Sequence, residues 1–222
     1  MSADLTGKTI AVLGGTGPQG RGLARRFATA GLDVVLGSRG AEKAEKIAAE
    51  LAEATGKPVR GMANADAAAA GDLVLVVVPW DGHKELLTDL KPHLDGKIVV
   101  DCVNPLGFDK QGPFALQVEE GSATQQAAAI LTESTVVGAF HNVSAVLLED
   151  PEVDKIECDV LVLGDEREAT DLVQALADTV PGMRGVYGGR RRNAHQVEAF
   201  TANLIAMNKR YKAHAGVRIT DV

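Results

Sequence analysis

Apolar positions follow two rhythms along this chain. Short uninterrupted runs, such as Ile10–Leu13 (IAVL) and Asp72–Val78 (DLVLVVV), alternate with stretches where apolar residues return every third or fourth position. The first rhythm predicts strands covered on both faces, and the second predicts helices with one buried side. Strands are expected at Ile10–Leu13, Leu32–Gly37, Lys57–Met62, Asp72–Val78, Lys97–Val100, Thr135–Ala139 and Asp159–Leu163, with a short extended piece at Gly185–Tyr187. Between them, Leu23, Ala24, Phe27 and Ala28 share one helical face, and Arg21, Arg25, Arg26 and Thr29 take the other, with Gly31 as the stop. Further helices are expected at Ala41–Ala54, Asn64–Ala70, Gly82–Leu90, Ser122–Leu131 and Glu166–Asp178, and one long helix runs from Arg190 to about Ala215. Asp101–Gly121, with Pro105, Gly107, Gly112 and Pro113, reads as loop.

This alternation predicts an α/β chain: a doubly wound parallel sheet of Rossmann type over residues 1–140, then a small C-terminal α/β domain over residues 141–222 that ends in the long helix. Ligands of such sheets sit at loops past the carboxyl ends of the strands. The chain has 222 residues, 45% of them hydrophobic, which is enough for a sizeable core. The net charge of −7 argues against a nucleic-acid partner. Cys102 and Cys158 have no metal or redox spacing, and Cys102, just past the fifth strand, reads as a packed thiol. No apolar segment opens the sequence MSADLTGK, and no run approaches transmembrane length, so a soluble cytoplasmic protein with no membrane association is expected.

The chemistry is concentrated in TIAVLGGTGPQGRG, Thr9–Gly22. Gly15, Gly17 and Gly20 stand at G-x-G-x-x-G spacing between a strand and a helix. In that context the glycines allow a tight turn, close backbone approach to a pyrophosphate, and packing of the helix on the sheet, while free N–H groups at the helix start face the phosphates. At the end of the second strand, where an NAD site carries an acid, the chain has Ser38 and Arg39, with Lys43 one turn on. A hydroxyl, a guanidinium and an ammonium suit a 2′-phosphate, so NADP is the expected nucleotide, with the Thr16 hydroxyl as a further donor.

Several mechanisms lack their residues. Tyr187 and Tyr211 are followed at the Tyr-x-x-x-Lys spacing by Arg191 and Ala215, and the five histidines have no metal-ligand spacing. Hydride transfer between two redox cofactors needs little acid–base help from the protein, and fits this inventory. Arg190, Arg191 and Arg192 open the last helix, where cations are disfavoured unless an anion is bound; a solvated charge run is the other reading. The apolar residues Val197, Phe200, Leu204, Met207 and Tyr211 of that helix suggest core or dimer contact.

At GGTGPQGRGLARR, GSRGAEKAE, VVVPWDG, GAFHNVSA and NAHQVEAFTANLI the sequence resembles the NADPH:coenzyme F420 oxidoreductases, and VPGMRGVYGGR and YKAHAGVRITDV look most like the actinobacterial members. The resemblance implies reversible hydride transfer between NADP(H) and the 5-deazaflavin coenzyme F420, small-molecule partners only, and a homodimer. It implies that Thr16, Gly17, Pro18 and Gln19 cradle the pyrophosphate, and that Ser38, Arg39 and Lys43 hold the 2′-phosphate. Val78, Pro79 and Trp80, with Asn104 and Pro105, would border the nicotinamide, and His141, Asn142, Val143 and Ala145 would line the deazaflavin pocket. No residue is singled out as an acid or base; His141 and Pro79 would position the rings. An NADP-dependent reductase of a small carbonyl or imine, and a non-catalytic NADPH-sensing module, are the alternative readings.

Overall fold

The computed structural model describes residues 4–222; Met1–Ala3, at the start of the MSADLTGK stretch, lie outside them. In chain order the elements are β1 (Thr9–Leu13), α1 (Pro18–Thr29), β2 (Asp33–Ser38), α2 (Ala41–Thr55), β3 (Val59–Ala63), α3 (Asn64–Ala70), β4 (Leu73–Val76), α4 (His83–Leu94) and β5 (Ile98–Asp101). They continue with β6 (Leu106–Asp109), β7 (Gly112–Ala115), α5 (Ala123–Ile130), β8 (Thr135–Gly138), α6 (Ala145–Glu149), β9 (Cys158–Leu163), α7 (Arg167–Asp178), β10 (Met183–Gly189) and α8 (Ala194–Tyr211).

Eight strands form one sheet in the order β10-β9-β8-β5-β4-β1-β2-β3. From β3 to β8 every neighbouring pair is parallel, and the order reverses between β1 and β4, the switch point at which doubly wound sheets bind ligands. Alternate side chains of each strand feed opposite faces. Ile10 and Val12 of β1 pack with Leu23 and Phe27 of α1 and Leu148 of α6, whereas Ala11 and Leu13 pack with Ala67, Leu87 and Leu131 from α3, α4 and the end of α5. Both faces are therefore covered, which is why these strands read as unbroken apolar runs.

Five details depart from the sequence reading. First, β9 meets β8 antiparallel, through the pair Gly138↔Leu163, and β10 then runs parallel to β9, so the last two strands point against the rest of one continuous sheet. Second, Asp101–Gly121 is not all loop: β6 and β7 form an antiparallel hairpin that leaves Phe108 and Phe114 exposed. Third, β10 is a full edge strand, its pattern hidden by its glycines; a Cβ on Gly185 would sit 2.3 Å from Cα of Gln174 in α7. Fourth, the last helix is shorter at both ends. Arg190–Asn193 precede it in a 3-10 turn, and it stops at Lys212, whose φ of 51° is left-handed, with the Asn208 side chain accepting from the Ala215 N–H at 2.6 Å. Fifth, Arg26 does not face solvent. It is buried, because α6 lies across α1, and α6 with the turn that follows it offers four carbonyls to its guanidinium.

Among the described residues, no helix is long and apolar enough to cross a membrane.

Candidate active site

The carboxyl ends of β1, β4, β5 and β8 face one another across the switch point. The turn after β1 is shaped by its glycines. Gly15 lies against Leu36 of β2, whose Cδ2 would stand 2.4 Å from an added Cβ, and a Cβ on Gly20 would stand 2.6 Å from the Gly15 Cα. Gly17 differs: its nearest neighbour would be 3.8 Å away. Nothing in the protein needs a glycine there, so the bare backbone at Gly17 suits a ligand that approaches it closely. Gly17 is also the N-cap of α1, no side chain caps that end, no acidic residue stands in the first turn, and Pro18 opens the helix. The helix start keeps its positive end for an anion. The residues thus fit a bound dinucleotide.

The same end of the sheet is tied across by side chains. Gln19 at the start of α1 donates from Nε2 to the Phe140 carbonyl at 2.9 Å, which fastens the glycine turn to the chain leaving β8. Phe140 adopts φ 62°, an uncommon conformation for a non-glycine residue, and its ring packs edge-on against Phe27 at 6.0 Å. The next carbonyl, that of His141, accepts from Asn104 Nδ2 at 3.0 Å and from Thr201 Oγ1 of α8 at 2.9 Å. Gln19, Asn104 and His141, far apart in sequence, are therefore brought together, with Val78, Pro79 and Trp80 leading out of β4 beside them. Gly14 packs directly on Val77 and Val78: an added Cβ would stand 2.5 Å from the Val77 carbonyl oxygen and from Val78 Cγ1.

His141 is 2% exposed, and neither ring nitrogen has a hydrogen-bond partner among the described residues. A buried imidazole without partners is costly, and points to a ligand group that completes it. Asn142 is split: its Nδ2 donates to the Asp159 carbonyl at 2.8 Å, while its Oδ1 is unpartnered. Val143 is buried, and Ala145 opens α6.

Ser38, Arg39 and Lys43 lie at the end of β2 and the start of α2, beside the glycine turn, to which β2 is joined by the Gly15 N–H on the Gly37 carbonyl at 3.0 Å. Ser38 is buried, and Arg39 and Lys43 project into solvent. Of the arginines ahead of the last helix, Arg191 pairs with Asp165 at 3.1 Å, so that cation already has a partner within the protein. Cys102 is buried and donates to the Val100 carbonyl at 3.7 Å, as a packed thiol does.

Sequence reasoning missed four side chains that build this region. Thr201 hides in the periodic pattern of the last helix, and Glu198, one turn before it, accepts from the N–H groups of Ala123 and Thr124 at 2.8 and 3.0 Å and from the Thr124 hydroxyl at 2.8 Å. His83 and Asp101, both wholly buried, meet at 2.6 Å. The one available signal was Asp101 itself, an acid ending a buried strand.

Known proteins resemble this chain. A family model described as "NADP oxidoreductase coenzyme F420-dependent" matches residues 9–105. The chain is 40% identical to the F420-dependent NADP reductase of Methanothermobacter thermautotrophicus, over 96% of this chain and 95% of that protein. It is 37% identical to the F420-dependent NADP reductase of Methanocaldococcus jannaschii, over 96% of this chain and 98% of that protein. A crystal structure of a putative F420-dependent NADP reductase from Arthrobacter sp. FB24 superposes with a TM-score of 0.82 at 26% identity, over 96% of this chain and all of that one. An imine reductase from Bacillus cereus, 18% identical with a TM-score of 0.65, shares the fold. Identity of this order along nearly the whole of both sequences settles kinship: the chain belongs to the family of F420-dependent NADP reductases.

Proposed function

We propose that this protein transfers hydride reversibly between NADPH and the 5-deazaflavin coenzyme F420. The observation that carries the reading is the full-length likeness to reductases of that name. The open backbone at Gly17, the uncapped start of α1 and the unpartnered atoms of His141 and Asn142 support the following assignment. Thr16–Gln19 take the pyrophosphate at the open Gly17 and the α1 start, and Ser38, Arg39 and Lys43 take the 2′-phosphate. Val78, Pro79 and Trp80 on one side, with Asn104 and Pro105 on the other, border the nicotinamide. His141, Asn142, Val143 and Ala145 line the deazaflavin side, where the free nitrogens of His141 and the free Oδ1 of Asn142 offer hydrogen bonds. Residues 1–140 thus serve the nucleotide and residues 141–222 the deazaflavin.

When bound, the nicotinamide supplies a hydride at C4 and the deazaflavin accepts it at C5. The chain's own part is placement. Gln19, Asn104 and Thr201 hold the Phe140–His141 turn rigid by gripping its two carbonyls, so that His141 orients a ring without itself abstracting a proton. Reduction of the deazaflavin consumes a hydride and a proton, so acid favours it and alkali favours NADP reduction. The test is NADPH deuterated on each face of C4 in turn, mixed with oxidised coenzyme F420 in ordinary water. One of the two labels is expected at C5 of the product; transfer of neither label, with solvent hydrogen at C5, refutes direct transfer.

A homodimer is part of the same reading. Val197 and Leu204 of α8 are buried, while Phe200, Met207 and Tyr211 are exposed and available to a second copy.

A further inference from the structure

We propose that His83 is a positioning residue of the hydride-transfer site: an imidazolium, hydrogen-bonded at both nitrogens, that fixes Trp80 and the turn after β5 together. The inference rests on the reading above for where the nicotinamide lies, at the ends of β4 and β5.

The protonation follows from the partners. His83 Nε2 lies 2.6 Å from Asp101 Oδ2, and Nδ1 lies 3.0 Å from Gln126 Oε1. The amide of Gln126 is set by its other end, where Nε2 donates to Glu120 Oε2 at 3.1 Å. Turning that amide over would face its oxygen onto the Glu120 carboxylate. Both ring nitrogens therefore face acceptors, and both must carry hydrogen. His83 is also the first residue of α4, where the helix dipole opposes a cation. Burial pushes the imidazole down as well, but the Asp101 carboxylate, the Asp101 and Gln126 hydrogen bonds and the more distant Glu198 outweigh it and hold the ring above the ordinary histidine value. The charged groups facing it are thus Asp101 from β5, Glu120 through Gln126 of α5, and Glu198 from α8. Gln126 cannot pass a proton along, so the chain from Glu120 to Asp101 holds a charge in place and does not conduct one.

Two walls of the site depend on this charge. The imidazole stacks on the Trp80 indole, with ring centroids 5.5 Å apart and planes 28° from parallel. Asp101, fixed through Oδ2, uses Oδ1 to accept the Val103 N–H at 3.0 Å, and the following residue, Asn104, grips the His141 carbonyl. A neutral His83 would leave an acceptor unpaired in the interior and free both walls to shift.

Three measurements test this. Nitrogen-15 NMR of the imidazole rings is made on the ligand-free protein at about pH 8, above the ordinary histidine value. Both His83 nitrogens are expected to show the imidazolium pattern; a neutral ring with one bare nitrogen overturns the proposal. Trp80 is the sole tryptophan, and a protonated histidine stacked on it quenches its emission. Emission is expected to stay quenched through neutral pH and to brighten in alkali, a step that His83→Gln abolishes; an unchanged step in that variant is contrary. In turnover, His83→Phe keeps a ring on Trp80 but loses both donors. It is expected to lower kcat about tenfold, with KM for NADPH changed less than about twofold, as for misplacement without lost binding. His83→Gln, which retains a donor, is expected to recover part of the loss. An unchanged kcat in His83→Phe overturns the positioning role, and if that variant fails to fold, the two wild-type measurements still decide the protonation. Absence of deazaflavin reduction by the wild-type enzyme would overturn the functional reading alone, since neither spectroscopic result depends on it.

Discussion

Replacing Arg26 tests whether the short helix after the His141 turn is held by a single side chain. Its guanidinium donates to four carbonyls: Leu148 from Nε at 3.0 Å, Val153 from Nη1 at 2.6 Å, and Leu147 and Asp150 from Nη2 at 2.6 and 3.0 Å. Leu147, Leu148 and Asp150 belong to the end of α6, whose last carbonyls have no partner within the helix. Arg26→Met keeps most of the apolar stem and removes every donor. The bond to Leu148 is buried, and its loss carries the full cost of a hydrogen bond to a charged group, about 1.5–3 kcal/mol. The other three are partly buried, and water replaces them at about 0.5 kcal/mol each. The sum is about 3–4.5 kcal/mol, against about 5–15 kcal/mol for the whole stability of a typical domain. Urea unfolding gives the loss directly, and for a chain of this size Tm is expected to fall by roughly 6–20 °C. Arg26→Lys is expected to recover little, because one ammonium cannot span four carbonyls. Arg25→Ala, which loses one longer bond at 3.3 Å to the Glu149 carbonyl, is expected to cost under about 1 kcal/mol. If Arg26→Met and Arg25→Ala unfold alike, α6 is held by its apolar contact with α1, and the guanidinium is incidental.

Arg39→Ala is expected to weaken NADPH binding about ten- to a hundredfold and NADH binding little, by titration; equal weakening of both removes its role at the 2′-phosphate. Asp159 is held well below the usual carboxylate range, chiefly by Arg184, helped by the Ile219 N–H and Arg218, so its charge stabilises the fold above the unfolded aspartate value and ceases to as pH falls toward the depressed one. Asp159→Asn should therefore unfold more easily than wild type at neutral pH, with the gap in urea midpoint closing below about pH 4; a gap constant with pH is the contrary result. Burial pushes both thiols up, Cys102 well above its ordinary value, so a disulfide reagent is expected to titrate them only on unfolding, and prompt reaction of the native protein contradicts the packing described.

What the sequence disclosed was whatever a local pattern encodes. The central strands β1 and β4 are covered on both faces, so their apolar runs are unbroken, and the glycine turn announces itself by spacing. The hairpin of β6 and β7 is only partly covered, where β7 meets α8, and with Phe108 and Phe114 exposed and Pro113 within it no apolar alternation marks it. The reversal at β9 depends on where the chain from Phe140 to Glu157 crosses, and no residue there states a direction. Arg26 looked like a solvent arginine because the carbonyls it serves lie more than a hundred positions away. The pair His83–Asp101 is hard to read for a different reason: Asp101 marks itself as an acid ending a buried strand, but nothing local names His83, at the start of α4, as its partner.

The reversal has a mechanical consequence. The pairs from β3 to β8 are joined by parallel ladders of four or five residues, but β8 and β9 share one bridge pair, Gly138↔Leu163. Beyond it the join is made by side chains, such as the Asn142 amide on the Asp159 carbonyl. The block of β9, α7 and β10 therefore hangs on the sheet by a seam poor in backbone bonds, and blocks of that kind open as units below the cost of global unfolding. The seam runs beside His141 and Asn142, so any molecule bonded to both banks acts as a rivet across it.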